Sequence, residues 1–197
     1  MKRVIFNQKG GVGKSTISVN LAAQSAKAGY RTLLVDLDAQ GNSTRYCGLE
    51  PHNDMLTVAD MFKQIAGWFS SPRPASEFIQ PTPFENLFVL PADDELNTLE
   101  RELESRYKMF KLKENLAELE SEFDAVFIDT PPNFNFYSKA ALIAAQRFVI
   151  PFDCDDFSGK AIARLLNNVM ELKQDHNPSL EFEGIVINQF NSQARLP

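Results

Sequence analysis

Short apolar runs alternate along the chain with longer segments in which apolar residues recur at helical spacing. The runs lie at residues 4–6, 32–36, 87–90, 125–129, 147–150 and 184–188. Each run is continuously apolar rather than alternating with polar residues, which is typical of strands that are covered on both faces of a parallel sheet. We therefore predict six strands of this kind.

The segments between these runs predict helices. Residues 15–28 are rich in Ala and Leu, and Gly29 follows as a helix stop. Apolar residues at helical spacing predict a long helix over 96–119, and residues 159–175 predict another. This alternation indicates an α/β fold with a doubly wound, mostly parallel sheet and helices on both faces. Four prolines between residues 67 and 83 indicate a loop or an irregular insertion.

The composition argues against several classes of protein. The chain has 197 residues, of which 44% are hydrophobic and 23% charged, so it is a folded chain that we treat as one domain over residues 1–197. It contains no apolar run of 18 residues, and two cysteines make no disulfide scaffold, so we expect a cytoplasmic protein. The net charge of −6 argues against a constitutively basic nucleic-acid binder but leaves room for a local basic patch.

The segment that joins the first predicted strand to the first predicted helix has the composition of a phosphate-binding loop. It reads Lys9-Gly10-Gly11-Val12-Gly13-Lys14-Ser15-Thr16. Its glycines let successive backbone N–H groups turn toward one anion at a helix N-terminus. Residues 10–16 are therefore candidate nucleotide contacts, with Lys14 reaching the β- and γ-phosphates and the Ser15 hydroxyl ligating Mg²⁺. The strict G-x-x-x-x-G-K-[ST] pattern fails only at Gln8.

Acidic residues end two of the predicted strands. Asp36 and Asp38 lie at the end of the run 32–36, and Asp129 ends the run 125–129 and precedes Thr130-Pro131-Pro132. The carboxyl ends of parallel strands are where open α/β sheets bind ligands. Asp129 resembles a Walker B carboxylate, which would hold Mg²⁺ through water.

Together these motifs resemble the ParA/MinD family of ATPases. The loop matches its deviant Walker A motif K-G-G-x-G-K-[ST], residues 36–42 match D-x-D-x-Q-G-N, and the Asp-Thr-Pro-Pro segment is similar to its switch. The resemblance implies that Lys9 reaches the nucleotide of a second subunit and that Lys14 acts within its own subunit. It also implies that Asp38 positions the attacking water and that Asp36 supports the Mg²⁺ shell.

The base is predicted to be adenine. A GTPase of this broad class would carry Asn-Lys-x-Asp after the last strand, whereas this chain has Gln189 and Asn191 in place of Lys and Asp. By resemblance, Asn188 is the candidate adenine contact. Residues 151–157 either lie near the base or cap the next helix, and the sequence supports both interpretations equally.

The resemblance implies a partition ATPase with ATP and Mg²⁺ as cofactors. Such a protein would dimerise on ATP, bind DNA without sequence preference on the nucleoid, and hydrolyse ATP slowly until a ParB-like or other cargo adaptor stimulates it. The chain resembles this family without its usual C-terminal helices, so part of the DNA surface is expected to be missing. The basic stretch 101–113 is a candidate patch, although interleaved glutamates favour a salt-bridged surface helix.

Three other functions stay open at this point. A MinD-like positioning ATPase would need a C-terminal amphipathic membrane helix, which is not present, so no membrane partner is expected. A metabolic P-loop enzyme would need further polar residues around a substrate, and a nucleotide-binding scaffold would turn over little. Trp68 and Phe69 in the proline-rich segment are either a partner anchor or a lid over the core.

Overall fold

Seven strands form one sheet in a computed structural model that describes residues 1–52, 54–65, 73–153 and 159–189. The strands are β1 (Lys2–Ile5), β2 (Thr32–Asp36), β3 (Gln80–Pro81), β4 (Leu87–Leu90), β5 (Ala125–Asp129), β6 (Arg147–Asp153) and β7 (Glu181–Asn188). Their order is β3-β4-β2-β5-β1-β6-β7, and every pair is parallel except β3 with β4. The predicted doubly wound, mostly parallel fold is confirmed.

Helices cover both faces of this sheet. They are α1 (Lys14–Lys27), α2 (Asn42–Tyr46), α3 (Val58–Ile65), α4 (Leu96–Ser105), α5 (Lys111–Glu118), α6 (Phe136–Ala144) and α7 (Gly159–His176). Along β5, Ala125 and Phe127 pack with α1, whereas Val126 and Ile128 belong to the larger core that contains residues of α3 to α7. None of the helices described here combines the length and the apolar character that a membrane crossing requires.

The register of the central strands brings three strand ends together. Asp129 is paired with Ile5 on one side and with Asp36 on the other. The glycine-rich loop leaves the sheet just after Ile5, and α1 begins at Lys14 after Gly13 in a left-handed conformation. As a result, the loop and both acidic strand ends lie at the same edge of the sheet.

The prediction of one continuous helix over 96–119 is wrong, because the structure divides this segment into α4 and α5. Tyr107 lies at φ 55°, a left-handed conformation that cannot continue a right-handed helix, and a short 3₁₀ turn follows it. Leu103 and Leu112 are both buried on either side of the break, so the apolar pattern gave no sign of it. In the candidate basic patch, Arg106 pairs with Glu102 at 2.7 Å, as the salt-bridged interpretation predicts.

Several elements were not predicted from the sequence pattern. The helix α6 is buried on nearly all sides, with only Lys139 outside its buried set, so it shows no apolar period. The described part of the proline-rich segment contains a 3₁₀ turn over Ala75–Phe78 and the short strand β3. Trp68 and Phe69 lie outside the described residues, as does most of the segment predicted to cap the helix after β6.

The strand β7 contradicts the prediction that every apolar run is covered on both faces. It forms one edge of the sheet among the described strands and pairs with β6. The side chains of Phe182 and Ile187 on this strand are 47% and 57% exposed. A run of apolar residues indicates a strand, but it does not distinguish the centre of a sheet from its edge.

Candidate nucleotide-binding site

A cavity of about 580 Å³ opens at the edge of the sheet where β1, β2 and β5 end. Most of the predicted nucleotide contacts line it, namely Gly10, Gly11, Gly13, Lys14, Ser15, Thr16 and Asn188. Val12, the remaining predicted contact in the loop, is buried, and its carbonyl oxygen accepts a hydrogen bond from Asn188. The structure thus brings the predicted loop and the end of β7 to one cavity.

The shape of the loop depends on Gly13 and on the end of β7. Gly13 has φ 89°, and a Cβ atom added to it would lie 2.2 Å from Nδ2 of Asn188. Asn188 Nδ2 donates to the carbonyl oxygen of Val12 at 3.1 Å, and Gln189 Nε2 donates to that of Gly11 at 3.2 Å. Asn188 therefore supports the loop backbone directly, while its predicted contact with adenine stays a prediction.

Lys14 is a buried cation beside this loop. Its ammonium group donates to the carbonyl oxygen of Lys9 at 2.8 Å, and the residue is only 6% exposed. Burial lowers the pKa of Lys14, and the nearby charges of Asp129 and Asp38 act in the opposite direction. A lysine that already lacks most of its water has little hydration to lose when a phosphate oxygen approaches.

Asp129 is fully buried beside the cavity and has three serine hydroxyl groups around its carboxylate. Its Oδ2 accepts a hydrogen bond from Ser43 Oγ at 2.7 Å, Ser18 Oγ lies 3.2 Å from its Oδ1, and the Ser15 hydroxyl is near enough to favour its charged form. Burial raises the pKa of Asp129, and these hydroxyls favour its charged form. Ser15 and Asp129 therefore lie close together, and the magnesium site predicted for them stays a prediction.

Asp36 has a different environment. It is fully buried, its Oδ2 accepts hydrogen bonds from both the backbone N–H and the hydroxyl of Thr44 at 2.8 Å, and its Oδ1 accepts one from Asp38 N–H at 3.1 Å. Burial and the neighbouring charge of Asp129 raise the pKa of Asp36 to about 7. Its role toward the metal stays a prediction.

Asp38 and Lys9 lie nearer the solvent. Asp38 lines the cavity, and its Oδ1 accepts a hydrogen bond from Gln40 N–H at 3.0 Å, so the turn after β2 fixes its backbone. Lys9 is exposed, and its own N–H donates to Asn7 Oδ1 at 3.0 Å. Lys9 also borders a second, smaller cavity of about 50 Å³ beside Asp153. The catalytic roles predicted for Asp38 and Lys9 stay predictions.

The site suits Mg²⁺ bound together with phosphate. Its donors are oxygen atoms of Ser15 and Asp129, which are hard ligands, and the described ranges contain no cluster of three or more His, Cys, Asp or Glu that could hold a metal alone. Mg²⁺ characteristically keeps several waters and binds one or two carboxylates together with substrate phosphates. The residues present therefore fit this cofactor.

The sequence did not point to several residues of the site. Ser43 and Thr44 follow the D-x-D-x-Q-G-N motif directly, and that position was the only signal for them. Asn97 and Glu100 reach the cavity from α4, far away in the sequence, and no local pattern marks them. Glu100 also accepts a hydrogen bond from the backbone N–H of Phe136 at the start of α6.

Comparison with known proteins adds three relationships. A family model described as an AAA domain matches residues 2–182. The chain is 37% identical to the chromosome partitioning protein ParA of Myxococcus xanthus and 35% identical to the sporulation initiation inhibitor protein Soj of Bacillus subtilis. Each match covers 98% of this chain, which spans 66% of the first relative's length and 74% of the second's.

A solved structure is similar over nearly the whole chain. It is cobyrinic acid a,c-diamide synthase from Mycobacterium smegmatis with a bound ATP analogue and magnesium, with a TM-score of 0.88 and 29% sequence identity. The match covers 98% of this chain and 76% of that protein. The same three-layer arrangement therefore holds a nucleotide and Mg²⁺ in that relative.

Proposed function

The chain belongs to the ParA/Soj family of P-loop ATPases, and we propose that it is a positioning ATPase that uses ATP and Mg²⁺ to control its own dimerisation. In the ATP state the dimer binds DNA without sequence preference on the nucleoid, and an adaptor of the ParB kind stimulates hydrolysis and release. The observation that carries this proposal is that Lys14 and Ser15 line one cavity at the glycine-rich loop and that the buried Asp129 lies beside Ser15.

The residues of the chain divide the work of binding the phosphates. The open glycines and the N-terminus of α1 present backbone N–H groups to the anion, and the buried Lys14 supplies the positive charge. Ser15 and Asp129 would hold Mg²⁺, which when bound neutralises charge on the phosphate oxygens. Asp38, at the cavity wall, orients the attacking water.

Lys9 explains why hydrolysis would depend on a dimer. It is the exposed charge of the loop, while Lys14 is the buried one. A cation that a second subunit adds to a phosphoryl-transfer site accelerates it by roughly 10³–10⁵ in related enzymes with arginine fingers. We infer that Lys9 of one copy completes the site of another, so ATP would be consumed quickly only in the assembled state.

The test uses an Asp38→Ala variant, in which slow hydrolysis keeps ATP bound. We expect this variant to sediment as a dimer with ATP and Mg²⁺ and to shift a random-sequence DNA fragment, and to do neither with ADP. Lys14→Ala in the same background is the control, since it removes the phosphate contact. A variant that binds ATP yet stays monomeric and ignores DNA would contradict the proposal, and co-sedimentation with anionic vesicles would indicate membrane positioning instead.

The extent of the cavity favours a second function, that of an ATP-dependent enzyme with a small-molecule substrate. Beyond the glycine-rich loop it is lined by Asn97, Glu100, Asn133 and Asn135, which are polar groups of the kind that a small-molecule substrate requires. The similar structure of a synthase points the same way. If this function is correct, the ATP-bound protein stays monomeric and its hydrolysis responds to small carboxylic acids rather than to DNA.

A further inference from the structure

Two consecutive side chains of α2 lie beneath the cavity and bond to the two buried carboxylates. Ser43 and Thr44 are both fully buried. The hydroxyl of Ser43 donates to Asp129 at 2.7 Å, and the hydroxyl of Thr44 donates to Asp36 at 2.8 Å. The short helix therefore presents one hydroxyl to each carboxylate.

Thr44 also joins Asp36 to other parts of the site. Its Oγ1 accepts a hydrogen bond from the backbone N–H of Ala92, which follows β4, at 3.0 Å. Asp36 in turn accepts the backbone N–H of Asp38 at 3.1 Å. Thr44 thereby fixes Asp36, and Asp36 fixes the start of the turn that carries Asp38.

Ser43 donates a hydrogen bond to Asp129, the carboxylate that ends the neighbouring strand β5. Asp129 lies opposite Asp36 in the parallel register of β2 and β5 and has the Ser15 hydroxyl nearby. Two carboxylates this close in a buried site repel each other when both are charged, and each needs donors that hold it in one orientation. Ser43 supplies such a donor to Oδ2 of Asp129.

We propose that Ser43 and Thr44 are positioning residues that give the two carboxylates different tasks. Thr44 holds Asp36 as an anchor for the turn bearing Asp38, and Ser43 holds Asp129 toward Ser15, where Mg²⁺ binds. This inference rests on the proposed ATP and Mg²⁺ function. It predicts that loss of the Ser43 hydroxyl weakens the response to magnesium, whereas loss of the Thr44 hydroxyl slows hydrolysis.

The first experiment measures the Mg²⁺ concentration that half-saturates binding of a fluorescent ATP analogue, without any need for turnover. Ser43→Ala is expected to raise this concentration about 10- to 100-fold, as loss of a residue that supports a metal ligand does elsewhere. Binding of the analogue in EDTA should be unchanged. Ser43→Cys leaves no cavity, is slightly larger than Ser and donates only weakly, and it carries the same test if Ser43→Ala does not fold.

The second experiment separates Thr44 from Ser43. Thr44→Val should lower kcat about 10-fold and shift the half-saturating Mg²⁺ less than Ser43→Ala does, while Thr44→Ser, which retains the hydroxyl, should restore kcat. Thr32→Val is the matched control, because Thr32 is a buried hydroxyl at the opposite end of the strand that ends in Asp36. It should lower the Tm and leave the Mg²⁺ response alone.

The outcomes are distinguishable. If Ser43→Ala and Ser43→Cys bind the analogue with the wild-type Mg²⁺ requirement, or if Thr32→Val shifts that requirement equally, the inference is wrong although the proposed function stands. If the wild-type protein shows no Mg²⁺-dependent binding of the ATP analogue, the proposed function fails and the inference fails with it.

Discussion

Two regions next to the cavity, a buried floor beneath it and an exposed rim at the start of the glycine-rich loop, are built in opposite ways. The floor, which consists of Asp36, Asp129, Ser43 and Thr44, is fully buried, and every carboxylate there meets hydroxyl or backbone donors from its own chain. The rim carries Lys9 on an exposed loop. The difference teaches that hydrogen bonds within one copy hold the floor, whereas the rim places a charged side chain at the surface.

The largest effect is expected from Asp129→Asn at the floor. Burial raises the pKa of Asp129, which means that its charged form is destabilised in the nucleotide-free protein. Asn carries no charge, so the substitution removes this destabilisation. We expect ATP hydrolysis to fall about 100-fold, within the range for loss of a group that stabilises charge in a transition state. The Tm of the nucleotide-free protein at neutral pH should rise, as circular dichroism would show.

Asp124→Asn is the control for this prediction. Asp124 immediately precedes β5 at the other end of the strand and accepts the backbone N–H of Arg31 at 2.8 Å, far from the cavity. Its loss should leave hydrolysis unchanged. An Asp129→Asn protein that retains hydrolysis would show that the floor does not hold the metal.

A more selective effect, confined to the assembled state, is expected from Lys9→Ala at the rim. If Lys9 acts on a second copy, the specific ATPase activity of the wild-type protein rises with protein concentration, and this rise disappears in the variant. Nucleotide affinity should change little and stability by no more than about 0.5 kcal/mol, because the side chain is exposed.

Lys27→Ala provides the comparison, since Lys27 is another exposed lysine, at the end of α1. It should keep the concentration dependence. A Lys9→Ala protein whose specific activity still rises with concentration would rule out action between copies.

The third effect acts on stability rather than on hydrolysis and concerns pH and Asp36. Burial and the charge of Asp129 raise the pKa of Asp36 from 3.8 to about 7, so the folded protein holds this proton more tightly than the unfolded chain does. At pH values between 3.8 and about 7, folding therefore takes up a proton, and the free energy of unfolding falls as the pH rises through this range. Asp36→Asn cannot take up this proton. The Tm of the wild type minus the Tm of the variant should therefore fall as the pH rises from about 4 to about 7.

This comparison is made on the nucleotide-free proteins in matched buffers, so that the other titrating groups contribute similarly to both. A difference in Tm that stays constant with pH, or that moves in favour of the wild type, would contradict the assigned environment of Asp36.

The sequence was most informative where local chemistry decides the structure. Continuous apolar runs placed six of the seven strands, and the Gly-rich loop identified Lys14 and Ser15 without any tertiary knowledge. Both signals are local, because strand burial and the turning of a glycine backbone depend on neighbouring residues. The family comparison then confirmed the class to which these motifs point.

The sequence was least informative where distant elements meet. The position of Tyr107 in a left-handed conformation breaks an apolar stripe that continues across it, and β7 is apolar although its side chains are exposed. Likewise, only the register of β2 and β5 brings Asp36 beside Asp129 and leaves Ser43 and Thr44 between them. Spacing along the chain could not distinguish an anchor from a metal ligand, because both are acidic residues at strand ends.

The hydrogen bond from Asn188 to Val12 has a consequence for the biosynthesis of this protein. The two residues are 176 positions apart, so the ribosome releases the glycine-rich loop long before the strand that supports it exists. Contacts of such long range form late, because a large loop must close first. The nascent chain therefore gains this support for its phosphate-binding loop only when β7 docks.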